Sequence, residues 1–595
     1  MIKINKHQDI PQQYTWDLSF LYPSTTDWEN DLKEIEKAAA EIVTKKGTVT
    51  SSAQNLRSTL NLMDTLEIRF ERAASYAKMN LDVNMADSVA KSNYEKIYNL
   101  STKVNTQLAF YEPELIQMTP TLFQQYKQEI PELDTYSFMF EKLFKEKEHI
   151  LSTQEEEIIT CMDSLGGSFE QIFDQLSVND LNFPEIKGEN GEILQANEAN
   201  YRKALNSYNR ELRKTYFKSL LGTYGSHLNS LTTIAAGNIK HKVFQAQIRK
   251  YSSTREQNLA KNHIPLSVYD NLINTVRNNV HQLQDYLKLR KKILSYDTLH
   301  FYDLFVPLSK DINKTYTYEE AQDIVLNALS LLGDDYILVL KQAFRERWID
   351  VYPQKGKTSG AYANGIYDAH PYSLLNFSGT LDDVFTIAHE LGHVMHSYYS
   401  NKHQPYILSN YVIFTAEVAS TVNEYLLYQY LLKQTINNQE KKYLLSLHLD
   451  SVRSTFYRQT FFADFEMQMH QMVEKEVPLT PELFCHTYRD LYAYYHGPNF
   501  TIDEELTYEW MRIPHYFSPF YVYQYATGIS AAITLAQGIL NQKTDALKNY
   551  LNFLTTGGSD YPLNLLKNAG VDMSTSEPIM TTIQDFSATL NLFAT

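Results

Sequence analysis

The chain has very few cysteines, no long apolar run and a deficit of basic residues. Only Cys161 and Cys485 occur among 595 residues, and neither has a neighbour at metal-ligand or CxxC spacing. We therefore expect two buried free thiols in a reducing compartment rather than a disulfide framework. No apolar stretch approaches the roughly 18 residues that span a bilayer, so a membrane is not an expected partner.

The N-terminal residues argue against a secreted protein, and the charge balance argues against a nucleic-acid-binding protein. Residues 1–9 contain no apolar segment typical of a secretory signal, which together with the free thiols predicts a cytoplasmic protein. Acidic residues number 70 against 54 Lys and Arg, giving a formal charge of −16. Because phosphate binding requires a basic surface, nucleic acid is not an expected partner either.

The periodicity of apolar residues predicts a mainly α fold. Several long segments rich in Leu, Glu, Lys and Ala repeat their apolar residues at helical spacing. Helices are predicted over residues 27–46, 53–79, 86–110, 155–176 and 197–251.

Two β-hairpins interrupt this pattern. The first is centred on Asn190-Gly191, and we place a domain boundary just after it, so that residues 1–195 form an N-terminal helical lobe and residues 196–595 hold the chemistry. The second is centred on Asn364-Gly365. Its second strand, within residues 371–377, is either an exposed edge that binds an extended peptide through backbone hydrogen bonds or an ordinary structural strand.

Residues 389 to 393 read His-Glu-Leu-Gly-His. Helical residues four apart share a face, so His389 and His393 present two imidazoles to one point. Catalytic zinc takes three protein ligands and a water, with imidazole nitrogen at about 2.0–2.1 Å. Glu390, one step round the helix, is placed to accept a proton from that water as general base.

The surrounding residues favour a metal site over a buried helix with satisfied histidines. Thr380 followed by Asp383 is typical of a capping box, and an apolar stripe follows at helical spacing. His389, His393 and His396 form a second row on this helix. Ionisable rings on a buried helix need partners, which a metal ion supplies.

The third ligand is predicted on the next helix. Glu417, Ser420 and Glu424 lie on one face of an otherwise apolar segment, where a carboxylate is costly unless it is paired or bound to a cation. We favour Glu417 as the ligand. Glu424 either accepts a hydrogen bond from a ligand histidine or forms a plain salt bridge. His396 is the alternative third ligand, although three ligands from one rigid helix rarely reach tetrahedral positions.

The sequence around these candidate ligands resembles that of a known family. HELGHVMHS at 389–397, followed by EVASTVNE at 417–424, is similar to the oligoendopeptidase F branch of the thimet oligopeptidase family of zinc metallopeptidases. Further similar stretches extend the resemblance to nearly the whole chain and cover residues 14–23, 359–362, 371–377, 379–386, 512–517 and 520–528.

The resemblance implies a function and a set of site residues. It places one zinc ion per chain on His389, His393 and Glu417, with Glu390 as the general base of an endopeptidase that cleaves short unfolded oligopeptides. It also implies a helical ellipsoid with a deep substrate channel and a small sheet or hairpin beside the zinc helix. The oligomeric state is not indicated.

The family also uses a histidine and tyrosines from a late loop to stabilise the transition state. By resemblance the histidine is His515, and the tyrosines are among Tyr521, Tyr523 and Tyr525. We favour Tyr521 and Tyr525, because they share a face if the segment is helical.

Two other classes remain open from the sequence. A related zinc carboxypeptidase shares the His-Glu-x-x-His pattern with a following Glu, and it would need a basic residue to bind the substrate's C-terminal carboxylate. A non-catalytic peptide-binding protein would hold a structural zinc, but such a site is closed by four ligands, and Glu390 beside the histidines disfavours it.

Overall fold

Helices make up most of the chain in a computed structural model that describes residues 7–309 and 314–595. The mainly α fold class is therefore confirmed. In chain order the α-helices are α1 (Thr25–Val43), α2 (Ala53–Asp82), α3 (Ser88–Leu108), α4 (Tyr111–Ile116), α5 (Pro120–Glu129), α6 (Ser137–Glu146), α7 (Thr153–Gly166), α8 (Ser168–Gln175), α9 (Glu198–Leu205), α10 (Arg210–Gly225), α11 (Leu228–Ile248), α12 (Thr254–Ala260), α13 (Leu266–Asn278), α14 (His281–Leu294), α15 (Tyr318–Leu329), α16 (Asp334–Arg345), α17 (Leu381–His403), α18 (Tyr406–Ser409), α19 (Ile413–Gln434), α20 (Asn438–Val452), α21 (Arg458–Glu474), α22 (Pro481–His496), α23 (Tyr523–Leu540), α24 (Ala546–Leu554), α25 (Pro562–Asn568) and α26 (Glu577–Ala594).

Local capping residues set the bounds of the predicted helices. Ser24 and Ser52 accept backbone hydrogen bonds at the starts of α1 and α2, within two residues of the predicted starts. The predicted helix 155–176 is wrong as one element, because the chain divides at Gly167 into α7 and α8. The predicted helix 197–251 is three helices, and the side chain of Asn209 caps the second of them.

Two small sheets complete the described structure. Strands β1 (Glu185–Lys187) and β2 (Ile193–Gln195) form the first predicted hairpin, with Gly191 at a φ of 84° that favours glycine. Strands β3 (Ile349–Asp350), β4 (Tyr362–Asn364) and β5 (Tyr372–Leu374) form the second sheet in the order β3-β5-β4. The β4–β5 pair is antiparallel and confirms the second hairpin.

The predicted edge strand within residues 371–377 is wrong. β5 is buried throughout and lies between β3, to which it is parallel, and β4. The edge next to the helix with the predicted metal ligands is β4 instead. The two-residue strand β3 carries no alternating pattern, so the sequence did not reveal that a further strand covers β5.

The described residues form two compact units, each built from three stretches of chain. Unit 1 contains residues 7–148, 314–430 and 535–570, and unit 2 contains the remaining described residues. The predicted boundary near Gln195 divides the sequence into two successive parts, residues 1–195 and 196–595, and it stays a prediction.

The core of unit 1 positions the second sheet. Tyr372 and Leu374 of β5 are fully buried in an apolar cluster with α1, α2 and α3. A Cβ on Gly365, just after β4, would lie 2.7 Å from the Cβ of Ser397, so the chain after β4 passes directly over α17. The predicted small sheet beside the metal-binding helix is therefore confirmed.

The predictions about the two cysteines and about membrane-spanning segments can be compared with the described residues. Cys161 and Cys485 are both free, as predicted, but Cys161 is exposed and Cys485 is only partly buried, so the predicted burial is wrong for Cys161 and incomplete for Cys485. Within residues 7–309 and 314–595, each helix is too short or too polar to cross a bilayer.

Candidate metal centre

Helix α17 carries the two histidines of the predicted metal site. Its first turn is closed by a reciprocal capping box: Asp383 accepts from the backbone N–H of Thr380 at 2.8 Å, and Thr380 accepts from that of Asp383 at 3.2 Å. This confirms the predicted start of the helix. Two turns further on, the Nε2 atoms of His389 and His393 lie 3.3 Å apart.

Helix α19 brings the predicted third ligand onto the pair. Oε2 of Glu417 lies 3.4 Å from Nε2 of His389 and 3.5 Å from Nε2 of His393. This approach depends on Gly392, because a Cβ there would lie 2.5 Å from the Cα of Ser420. The glycine inside the His-Glu-Leu-Gly-His pattern thus permits the two helices to pack backbone to backbone.

The spacing of the three donor atoms tests whether they fit zinc. Ligands about 2.0–2.1 Å from a tetrahedral ion lie about 3.3–3.4 Å from one another. The observed separations of 3.3, 3.4 and 3.5 Å match this edge length. Among the described residues these three side chains form the one group of His, Cys, Asp or Glu able to hold a metal ion. They supply the three protein ligands that a catalytic zinc takes.

Glu424 fixes the orientation of His389, one of the candidate ligands. Its Oε1 is hydrogen-bonded to Nδ1 of His389, so the proton is held on Nδ1 and Nε2 faces Glu417 and His393. Burial pushes the pKa of His389 down, but the hydrogen bond and charge of Glu424 outweigh it and raise that pKa to about 9. The structure therefore supports the role of outer hydrogen-bond partner that the sequence left open for Glu424.

The neighbouring histidines lower the pKa of Glu417. Burial pushes the pKa of its carboxyl group up, but the hydrogen bond and charge of His393, together with His389, bring it down to about 2. Ser420 adds a hydrogen bond to Oε2 at 3.2 Å. The carboxylate is therefore ionised at neutral pH, as a metal ligand must be.

Replacing Glu424 tests its orienting role. We expect Glu424→Ala to weaken zinc binding by about 10–100-fold, because His389 loses the partner that fixes its tautomer and ring. Glu424→Gln keeps an acceptor oxygen and should lose less. Zinc competition titration measures both values, and an Ala variant with unchanged zinc affinity would contradict this role.

Glu390 lies beside the candidate ligands in a cavity of about 460 Å³, a size typical of sites that bind small molecules. The residue is 7% exposed, and burial raises the pKa of its carboxyl group, although both histidines act in the opposite direction. No hydrogen bond to its carboxylate is formed by the side chains of residues 7–309 and 314–595. Its oxygens are therefore available to accept a proton from a water in the cavity.

The cavity has further polar lining that the sequence reasoning missed. Ser397 and Asn401 continue the row of His389 and His393 at four-residue steps, so the spacing alone contained this signal. Tyr411, in the segment before α19, lies 2.9 Å from Ser397 through its hydroxyl group. No sequence signal predicted Tyr411.

His396 is not part of the ligand group. Its ring stacks on Tyr411 with centroids 3.7 Å apart, and it is fully buried. Burial lowers its pKa to about 3, so the ring is neutral. The alternative in which His396 replaces Glu417 as third ligand finds no support in this geometry.

The residues predicted to stabilise the transition state lie together in unit 2. The ring centroid of His515 is 6.1 Å from that of Tyr521 and 6.2 Å from that of Tyr525, and the two tyrosines are 5.4 Å apart. Tyr523 is instead buried against Tyr269. The structure therefore groups the histidine with the two tyrosines that the sequence favoured.

Comparison with known proteins gives the family. A profile of peptidase family M3 matches residues 204–585, more than half of the chain, and one described as oligopeptidase F matches residues 114–183. The chain is 40% identical over 583 residues to oligopeptidase PepF of Bacillus subtilis, covering 98% of this chain and 87% of that protein. It is 36% identical to the group B oligopeptidase PepB of Streptococcus agalactiae, covering 96% and 94%.

Solved structures agree with the sequence relatives. The crystal structure of oligoendopeptidase-F from Enterococcus faecium matches with a TM-score of 0.75 and 33% identity, covering 96% of this chain and 98% of that chain. The resemblance identified from the motifs is confirmed along nearly the whole length. The chain therefore belongs to peptidase family M3, in its oligoendopeptidase F branch, and is a metalloendopeptidase.

Proposed function

We propose that the chain hydrolyses internal bonds of short, unfolded oligopeptides with one zinc ion held by His389, His393 and Glu417. The observation that carries the proposal is the triangle of donor atoms with tetrahedral spacing, which opens onto the cavity that Glu390 lines. When bound, zinc lowers the pKa of a coordinated water toward about 7 and polarises a carbonyl group.

Glu390 moves the proton in this mechanism. Its carboxylate accepts a proton from the attacking water and then delivers it to the leaving amine. Glu390 lies on the same helix as both histidines and directly follows His389. This position supports the role because α17 fixes the distance of Glu390 from the two histidines. Glu424 keeps His389 correctly oriented during the reaction by retaining the hydrogen bond to Nδ1.

Strand β4 is proposed to bind the peptide backbone. It is the edge strand that faces the cavity, where Tyr362 and Ala363 contribute to the lining. An extended peptide can add to such an edge through main-chain hydrogen bonds. Because these bonds do not read side chains, this mode suits an enzyme that accepts varied sequences.

We assign transition-state stabilisation to His515, Tyr521 and Tyr525, since the late-loop donors of the family map onto them and their rings cluster. The loss of one donor to a developing oxyanion typically costs about 10²–10³-fold in kcat. We therefore expect His515→Ala, Tyr521→Phe or Tyr525→Phe to lower kcat within this range for whichever side chain donates directly.

Tyr523→Phe is the matched control for these substitutions. Its ring is buried against Tyr269, so kcat should stay near the wild-type value. Steady-state kinetics on one quenched-fluorescence peptide measures all four variants. Wild-type kcat in all of the first three would remove this cluster from the mechanism.

The proposed substrate range has a direct experiment. Peptides of graded length and a folded protein are incubated with the enzyme, with and without a chelator, and the products are identified by mass spectrometry. We expect internal cuts in short peptides that stop on chelation and resume with added zinc. Efficient cleavage of the folded protein would contradict the size limit, and stepwise release of single C-terminal residues would indicate a carboxypeptidase.

A further inference from the structure

Phe520 has an unusual backbone conformation in the segment that joins His515 to α23. Its φ of 56° lies in the left-handed region, which is sterically costly for a bulky side chain. The residue is 3% exposed, and its ring packs against those of His470 and Tyr269. Such a conformation persists only where surrounding contacts hold it.

The contact that holds it comes from α21. Oε1 of Glu466 accepts a hydrogen bond from the backbone N–H of Phe520 at 2.8 Å in a fully buried setting. Glu466 is 3% exposed, and its second oxygen has no hydrogen-bond partner among residues 7–309 and 314–595. The carboxyl group of Glu466 thus supplies the hydrogen-bond acceptor for a buried backbone N–H at the strained residue Phe520, where an unpaired N–H would be costly.

The segment fixed in this way carries the proposed donors. His515 precedes Phe520 by five residues on the short helical turn Pro514–Phe517, and Tyr521 follows it directly. A change of φ at Phe520 would rotate the following residues, including Tyr521 and Tyr525, relative to His515. The contacts between the ring of His515 and the rings of Tyr521 and Tyr525 therefore depend on the conformation of Phe520.

We propose that Glu466 is a positioning residue that holds Phe520 in its left-handed conformation and thereby sets the placement of Tyr521 and Tyr525 beside His515. This role rests on the proposed function of that cluster in transition-state stabilisation. Glu466 itself touches neither substrate nor metal in this account. Misplacement of a catalytic group by about 1 Å can cost about 10²-fold in rate.

The charge state of Glu466 makes the test selective. Burial raises its pKa to about 8, although the Phe520 hydrogen bond acts in the opposite direction, so the group is neutral near pH 7. Glutamine has the same shape, is also neutral and keeps the acceptor oxygen. Methionine has a similar volume, but its thioether sulfur is only a weak acceptor for the backbone N–H of Phe520. The acceptor, rather than the charge, is therefore expected to matter.

The experiment compares kcat and KM of Glu466→Gln and Glu466→Met at pH 7. We expect the Gln variant to stay within a few-fold of wild type, and the Met variant to lose about 10–10² in kcat with little change in KM. The control is Glu474→Met on the same helix, where the carboxylate accepts from the backbone N–H of Thr254 at 2.8 Å. It should leave kcat unchanged. Circular dichroism and melting temperature establish that each variant is folded.

The outcomes separate this proposal from the proposed function. Wild-type kcat in Glu466→Met, with Tyr521→Phe or Tyr525→Phe impaired, overturns the positioning role and leaves the cluster's role intact. Equal losses in the folded Gln and Met variants also overturn it, as does a crystal structure of the Met variant with Phe520 still at positive φ. Wild-type kcat in all the cluster variants would overturn the proposed function first. If Glu466→Met does not fold, a folded and active Gln variant supports the proposal, and a folded but impaired one overturns it.

Discussion

Glu390→Gln is expected to lower kcat for peptide hydrolysis by about 10²–10⁴-fold while the protein keeps one zinc ion per chain. The amide has the shape of the carboxylate but cannot accept the proton of the attacking water. Glu390 is not among the three donor atoms of the metal group, so its replacement leaves their spacing of 3.3–3.5 Å in place. Steady-state kinetics and metal analysis on the same sample measure the two quantities together.

The control for this substitution is Asp382→Asn, which removes a carboxylate from the exposed first turn of the same helix. It changes the charge of α17 by the same amount at a site away from the cavity, so kcat should remain close to wild type. A zinc-loaded Glu390→Gln enzyme with wild-type turnover would exclude Glu390 as the general base.

Glu417→Gln is expected to remove the metal and the activity together. The neutral amide is a poor ligand for zinc, and only two imidazoles would remain at the site. The loss of zinc affinity should exceed the about 10–100-fold expected for an outer partner such as Glu424. Zinc content after dialysis and kcat at a fixed zinc concentration give the two readouts.

His396→Phe is the matched control for Glu417→Gln, because it tests the alternative third ligand. Phenylalanine preserves the stacking on Tyr411 and fills the same buried space. We expect this variant to retain one zinc ion and most of its activity. The opposite pattern, with zinc kept in Glu417→Gln and lost in His396→Phe, would replace Glu417 by His396 in the ligand set.

Much of the site could be predicted because short stretches of sequence within single helices determine where its side chains lie. The capping box at Thr380 and Asp383 set the start of α17, and the four-residue step then placed His389 and His393 on one face. The costs of burying charge singled out Glu417 and Glu424 on the next helix. Helical geometry and the chemistry of each side chain are sufficient to predict these residues.

The predictions that were wrong or missing depend on contacts between residues distant in sequence. The edge strand was misplaced because β3, more than 20 residues before β5, pairs with it over only two residues. The close packing of α17 on α19 at Gly392, and the position of Tyr411 in the cavity, follow from tertiary structure that no periodicity encodes. Helices α9 and α10 were merged because Asn206 to Asn209 contain neither proline nor glycine, whereas the break before α11 follows Gly225, which was not used as a stop signal.

Zinc-edge anomalous diffraction from crystals grown with zinc tests the central claim most directly. The account predicts one strong peak about 2.0–2.2 Å from Nε2 of His389, Nε2 of His393 and an oxygen of Glu417, with the fourth position facing the cavity. A peak bound by four protein side chains, or one that leaves Glu417 outside bonding distance, would contradict it.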